Sequence, residues 1–287
     1  MAEPVQRSTD IEERSNALVF QPLSTWLAPI LVRARISANA TSLLGMAAGV
    51  AGALFYGIND AGPGLVLAGF ALMCLWHVLD GADGQVARLT NTQSPLGKLI
   101  DGICDYVVFT AAYVALALRI EQTWPGYGWP LVAVSGLFHA VQAGAYEAQR
   151  QMFDYWGLGK QSARIGAPSQ ESRAASRWLV LIRIYEWVQL KVTAITPAYL
   201  ARLEQVIGTP AKDNPASQAY CHFFAASVRS WGVMCANYRT YGLFLACLVQ
   251  RPALYFLVEI AVLGPLHLWL VARQARLNRA FASGQTV

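Results

Sequence analysis

Between positions 77 and 106 the chain reads HVLDGADGQVARLTNTQSPLGKLIDGICDY, which sets Asp80, Asp83, Asp101 and Asp105 at the ends of two long apolar segments. The whole sequence has 17 acidic residues in 287, so four of them between positions 80 and 105, flanked by lipid-grade hydrophobicity, need a physical reason. Charge in apolar surroundings is costly unless it is paired or coordinates an ion. A divalent metal supplies that reason.

Composition agrees with an apolar environment. Hydrophobic residues make up 55% of the chain and charged ones 14%, and the mean hydropathy is +0.35. That profile belongs to an all-α, polytopic membrane protein and overrules a soluble reading. The net charge of +5 is carried by basic residues that gather between the apolar segments, as in loops facing an anionic cytoplasmic leaflet, so it does not imply nucleic acid. Cys74, Cys104, Cys221, Cys235 and Cys247 are odd in number and lack close ligand spacing, which argues against a disulfide framework and against zinc.

Hydropathy predicts six transmembrane helices, at about 39–56, 65–79, 98–118, 131–148, 233–249 and 253–271. The first 15 residues show no cleaved signal peptide, and 17–35, with Trp26, Arg33 and Arg35, reads as an N-terminal helix lying in the membrane interface or packed on its own protein. Residues 1–35 thus form a cytoplasmic tail and interfacial helix, and 36–150 the first four spans with the acidic motif. Small residues along the first span, among them Gly45, Gly49 and Gly52, suit close helix contacts. Trp124, Tyr127 and Trp129 mark the opposite interface. Residues 151–230 form an extended cytoplasmic or interfacial connection. From position 150 to 213 basic residues outnumber acidic ones nine to five, which places this stretch in the cytoplasm; within it 178–207 has helical periodicity that Pro197 breaks. Residues 231–287 supply the last two spans and a cytoplasmic C-terminus. Six crossings put both termini and the carboxylates on the cytoplasmic face of a multi-pass membrane protein, in the plasma or inner membrane if the source is bacterial.

Helical spacing organises the acids. Asp80, Asp83 and Gly84 share one face of the second span, and Gly97, Asp101 and Asp105, four apart, form a stripe on the third. With these faces turned inward the four carboxylates converge and repel unless cations neutralise them. Aspartate oxygens without histidine or cysteine partners suit Mg2+, Mn2+ or Ca2+ and not Zn2+. Gly84, Ala87 and Gly97 leave room for a flat or bulky ligand, and Arg88 adds a partner for phosphate.

The run Asp80-x-x-Asp83-Gly84-x-x-Ala87-Arg88, eight residues, Gly97-x-x-x-Asp101-x-x-x-Asp105 resembles the signature of the CDP-alcohol phosphotransferase family at every fixed position. Upstream, Ser37 to Gly45 is similar to the family's Pro-Asn-x-x-Thr segment, with Ala38 where proline is common and Ser42 where threonine is common. The resemblance covers residues 36–110. It implies a six-span enzyme, generally a homodimer, that moves a substituted phosphate from a CDP-linked donor to an alcohol acceptor and releases CMP. By that resemblance Asp80, Asp83, Asp101 and Asp105 hold two Mg2+ or Mn2+ ions on the donor pyrophosphate, and Asp105 is also the general base for the acceptor hydroxyl. Gly84, Ala87 and Gly97 shape the cytidine pocket, while Asn39, Ser42 and Arg88 contact the donor.

Within the family the preferred pair is CDP-diacylglycerol and a small polar alcohol. The aminoalcohol branch, which joins CDP-choline or CDP-ethanolamine to a lipid hydroxyl, is the alternative that Ser94-Pro95-Leu96-Gly97 suggests. An ion-coupled transporter is the remote alternative, since acids in spans also mark ion pathways. Lys98 is an interface anchor or an acceptor contact. Arg239 binds the acceptor or a lipid phosphate, or pairs with Glu147 or a headgroup. His77, His139 and Cys104 are read as packing residues.

Overall fold

The computed structural model describes residues 11–165 and 193–284, and the described residues are helical throughout, without a strand. A π-helical turn, Asn16–Phe20, runs into α1 (Gln21–Arg33), followed by α2 (Ala38–Gly57), α3 (Pro63–Leu89), α4 (Pro95–Thr123) and α5 (Gly128–Met152). After the connection come α6 (Pro197–Ile207), α7 (Pro215–Trp231), α8 (Ala236–Leu248), α9 (Ala253–Val258), a π-helical turn at Glu259–Leu263, and α10 (Gly264–Ala282). Local chemistry sets these starts. Ser37 Oγ accepts the Ala40 amide at 3.2 Å to begin α2, and Ser94 Oγ accepts the Gly97 amide at 3.0 Å to begin α4, with Pro95 in its first turn. Asp60 and Asn91 take left-handed backbone, with φ of 52° and 54°, in the turns that follow α2 and α3.

Among the described residues four helices are long and apolar enough to cross a membrane: Ala38–Gly57, Pro63–Leu89, Ile100–Thr123 and Ala253–Ala282. The expected fourth and fifth crossings are present as helices but do not meet that measure. α5 carries Gln142, Glu147, Gln149 and Arg150, and α8 has 13 residues, a length of about 20 Å at 1.5 Å per residue. α3 runs ten residues past the predicted end at 79. Hydropathy falls at Asp80, but the helix continues through Asp83, Gly84 and Arg88 because nothing between 80 and 89 breaks backbone hydrogen bonding. The helix expected over 178–207 falls partly outside the described residues. Where the structure resumes, Pro197 sits in the first turn of α6, where its missing N–H costs nothing.

The chain divides into two compact units. Among the described residues the first comprises 13–136 and 236–260; the second comprises 11–12, 137–165, 193–235 and 261–284. In the first, α2 lies between α3 and α4 around a core of Tyr56, Met73, Trp76, Val108, Leu116, Leu243 and Phe256. The glycines of α2 permit that approach: a Cβ at Gly52 would stand 2.7 Å from the Gly69 carbonyl, and one at Gly49 2.6 Å from Val108 Cγ1. α1 packs Ala28 and Leu31 on Leu79, Ala82 and Val86 of α3, while Leu23, Trp26 and Ile30 remain exposed. In the second unit Phe153, Trp156, Leu203, Tyr220 and Phe224 form the core.

Candidate metal centre

α3 and α4 bring their acids together. One carboxylate oxygen from each of Asp80, Asp83 and Asp101 lies within 4.8 Å of the others, with Asp83 buried and the other two half-buried. Asp105 stands one turn further along α4, outside that group, and its Oδ1 is buried. The α2 segment supplies support: the Ser42 hydroxyl donates to Asp83 Oδ2 and also reaches the Ala38 carbonyl at 3.2 Å. A hydrogen bond to a ligating carboxylate fixes its rotamer before the ion arrives.

The donor set fits a hard divalent cation. Metal–oxygen distances of about 2.0–2.6 Å let ligand oxygens around one ion stand up to about 4–5 Å apart, which matches the observed separation. Three acids so placed in apolar surroundings repel one another without a cation.

The remaining predicted donor contacts fall around this cluster. A Cβ on Gly97 would meet Ser94 Oγ at 3.2 Å and Asn39 Oδ1 at 3.5 Å, so the starts of α2 and α4 are adjacent and Gly97 keeps the gap between them open. Gly84 faces the Arg88 guanidinium, 3.4 Å from where its Cβ would be. Ala87 is half-buried on the same helix. Lys98 lies in the first turn of α4, and its side chain is outside the described residues. Arg239 has Glu259 as a carboxylate partner, where Glu147 was expected. It is 1% exposed in α8, where its Nη1 donates to Glu259 Oε1, while Glu147 pairs with Arg150 at 3.1 Å.

Comparison with known proteins places this geometry. The family model for CDP-alcohol phosphatidyltransferase matches residues 35–166. The matched range is somewhat less than half of the chain, and over it the chain is similar to that family. The chain is similar to the CDP-diacylglycerol–serine O-phosphatidyltransferases of Mycobacterium tuberculosis and Mycobacterium bovis, 36% identical over 83 residues, covering 28% of this chain and 28% of each relative. It is also similar to the bifunctional IPC transferase and DIPP synthase of Aquifex aeolicus, 29% identical over 114 residues, 40% of this chain and 25% of that protein. The chain thus spans little more than a quarter of the length of these curated relatives. Phosphatidyltransferases are enzymes, and the matched range contains all four aspartates. No solved structure matches.

Two supports of the acidic cluster were not anticipated in the sequence. Ser24 of α1 donates to the Val78 carbonyl at 2.8 Å and lies 2.6 Å from where a Cβ on Gly81 would be, so α1 is pinned to α3 beside Asp80. His77 Nε2 shares a hydrogen bond of 2.8 Å with Thr240 Oγ1 of α8. Neither has a spacing signature, because each joins segments more than fifty positions apart.

Proposed function

We propose that this protein is a membrane phospholipid-synthesising transferase that moves a phosphatidyl group from CDP-diacylglycerol to a small polar alcohol and releases CMP. The observation that carries the reading is the convergence of Asp80, Asp83 and Asp101 within the segment similar to the CDP-alcohol phosphatidyltransferase family. The mycobacterial relatives are named for a CDP-diacylglycerol donor, which favours that donor here. The tetrapeptide that suggested the aminoalcohol branch has a structural account, since Ser94 caps α4 and Pro95 fills its first turn.

In this reading Asp80, Asp83, Asp101 and Asp105 hold two Mg2+ or Mn2+ ions, whose bound form neutralises the donor pyrophosphate and stabilises the departing CMP. The chain's own residues do the rest. Arg88 and Asn39 orient the donor phosphates and cytidine, Gly84, Ala87 and Gly97 leave its space open, and Ser42 holds Asp83 in place. The Asp105 carboxylate accepts the proton of the acceptor hydroxyl as its oxygen attacks phosphorus and the bond to the CMP oxygen breaks. Lys98 is the candidate contact for the acceptor. The same reading takes six crossings with α5 and α8 as the fourth and fifth, α1 in the interface through Leu23, Trp26 and Ile30, the carboxylates on the cytoplasmic side, and a homodimer; the exposure of Leu23, Trp26 and Ile30 supports the interfacial place of α1.

Purified protein, presented with Mg2+ or Mn2+ and a panel of CDP-linked donors and alcohol acceptors, is expected to release CMP and yield one lipid product by mass spectrometry. Asp105→Asn should lower that rate by about 10²–10⁴-fold while leaving the helical content unchanged. No metal-dependent CMP release from any donor would overturn the proposal. Full activity in Asp105→Asn would remove the base assignment.

A further inference from the structure

The two helices that carry the acids are also linked through α8 and α9 by a buried polar chain. It begins on α4 at Tyr113, whose hydroxyl lies 3.0 Å from that of Tyr255 on α9. The Tyr255 hydroxyl donates to Glu259 Oε2 at 2.9 Å, and Glu259 Oε1 accepts from Arg239 Nη1 on α8. The next residue, Thr240, meets His77 Nε2 at 2.8 Å, which returns the chain to α3. Tyr113, Tyr255, Glu259, Arg239, Thr240 and His77 are all buried, with 7% exposure at most.

The placement of the two ends gives this chain its meaning. His77 is one helical turn before Asp80, and its ring is held between Phe20, 5.1 Å away between centroids, and Trp76, stacked at 4.3 Å. Tyr113 lies on α4 about 12 Å beyond Asp105, at 1.5 Å per residue. A hydrogen-bonded link with fixed partners at each joint resists both rotation and separation of the helices it joins. The direct acid contacts cannot do this, because like charges push apart. Burying Arg239 and Glu259 has a desolvation cost that an apolar pair would avoid, so the ion pair fits the need for a fixed register better than the need for stability.

We infer that the polar strut from Tyr113 through Tyr255, Glu259, Arg239 and Thr240 to His77 is a positioning device that sets the rotation and spacing of α3 and α4, and so the fit of Asp80, Asp83 and Asp101 to a divalent cation. None of these six residues touches substrate in this account. The inference rests on the metal reading of the proposed function, but its test needs no substrate.

The test measures Mn2+ binding to the full-length, detergent-solubilised protein by electron paramagnetic resonance of the free ion. Thr240→Val, isosteric but without the hydroxyl, is expected to weaken Mn2+ about tenfold, as changes to groups behind a metal ligand do. Tyr113→Phe, at the other end of the strut, should shift Mn2+ affinity in the same direction. Thr240→Ser, which restores the hydroxyl, should bind Mn2+ as the unaltered protein does. Val66→Ala, in the core at the opposite end of α3, controls for general loosening. Unchanged Mn2+ affinity in both Thr240→Val and Tyr113→Phe overturns the inference. So does an equal loss in Val66→Ala, or failure of Thr240→Ser to restore binding. If CMP release fails with every donor while these affinities behave as stated, the proposed reaction falls and the strut stands.

Discussion

Two places in the first unit hold charge among apolar side chains, and they resolve it in opposite ways. At Arg239 and Glu259 the chain supplies both signs: the guanidinium meets a carboxylate that also accepts from Tyr255, and both residues are sealed at 1% and 0% exposure. At Asp80, Asp83 and Asp101 it supplies one sign three times within 4.8 Å, with the Ser42 hydroxyl on Asp83. The first arrangement is complete by itself and the second calls for a cation from outside. A closed polar group in a membrane helix therefore serves architecture, and a one-signed group is where a ligand is to be sought.

The largest effect expected from breaking that contrast is at the closed pair. Arg239→Met leaves Glu259 buried without its cation and should cost about 3–5 kcal/mol, while the double change Arg239→Met with Glu259→Leu should restore most of that stability. Thermal unfolding of the three detergent-solubilised variants checks this. Equal destabilisation by the single and double changes would mean the pair is not the closed unit described. The double variant sharpens the comparison further, since it is expected to fold and still bind Mn2+ more weakly.

At the open cluster the expected effect is smaller and opposite. Saturating Mn2+ should stabilise the protein by about 2.7 kcal/mol at a hundredfold excess over Kd, and Asp83→Asn should lose most of that gain without falling below the metal-free protein. A melting temperature indifferent to Mn2+ would remove the contrast.

The smallest effect lies at a carboxylate between these extremes, Glu13, which is outside the spanning helices. Burial raises its pKa, but the Ser15 hydroxyl and the amides of Ser15 and Asn16 outweigh this with help from Asn237, and the net shift is below the usual 4.5. Its folded pKa is depressed, so its contribution is present above the unfolded value and fades as pH falls through the folded one. The melting temperature of the unaltered protein should therefore fall below about pH 4.5 more steeply than that of Glu13→Gln, and parallel curves would deny Glu13 that role.

The acid cluster was legible because helix geometry turns spacings of three and four into shared faces, and α3 and α4 keep those faces inward. Asp105 shows the limit: the same stripe places it one turn below Asp101, outside the close group, a depth that spacing alone does not give. The partner of Arg239 was hidden for a different reason. Glu147 looked available because it ends a helix, whereas Glu259 lies inside an apolar run where only the three-dimensional approach of α8 and the π-helical turn reveals it. Hydropathy found the cores of α2, α3 and α4 but not their ends, which depend on Ser37, Ser94 and Asn91.

At the far end of the same helices, Arg119 of α4 donates to the Tyr56 carbonyl of α2 at 2.9 Å and to the Gln250 side chain, which in turn donates to the Ala61 carbonyl at 2.7 Å. That end is fastened by neutral and single-charge hydrogen bonds, while the other gathers three acids within 4.8 Å of one another. The bundle is thus fastened from within at the Arg119 end, while at the Asp83 and Asp101 end the chain leaves the last fastening to whatever cation its three acids would hold.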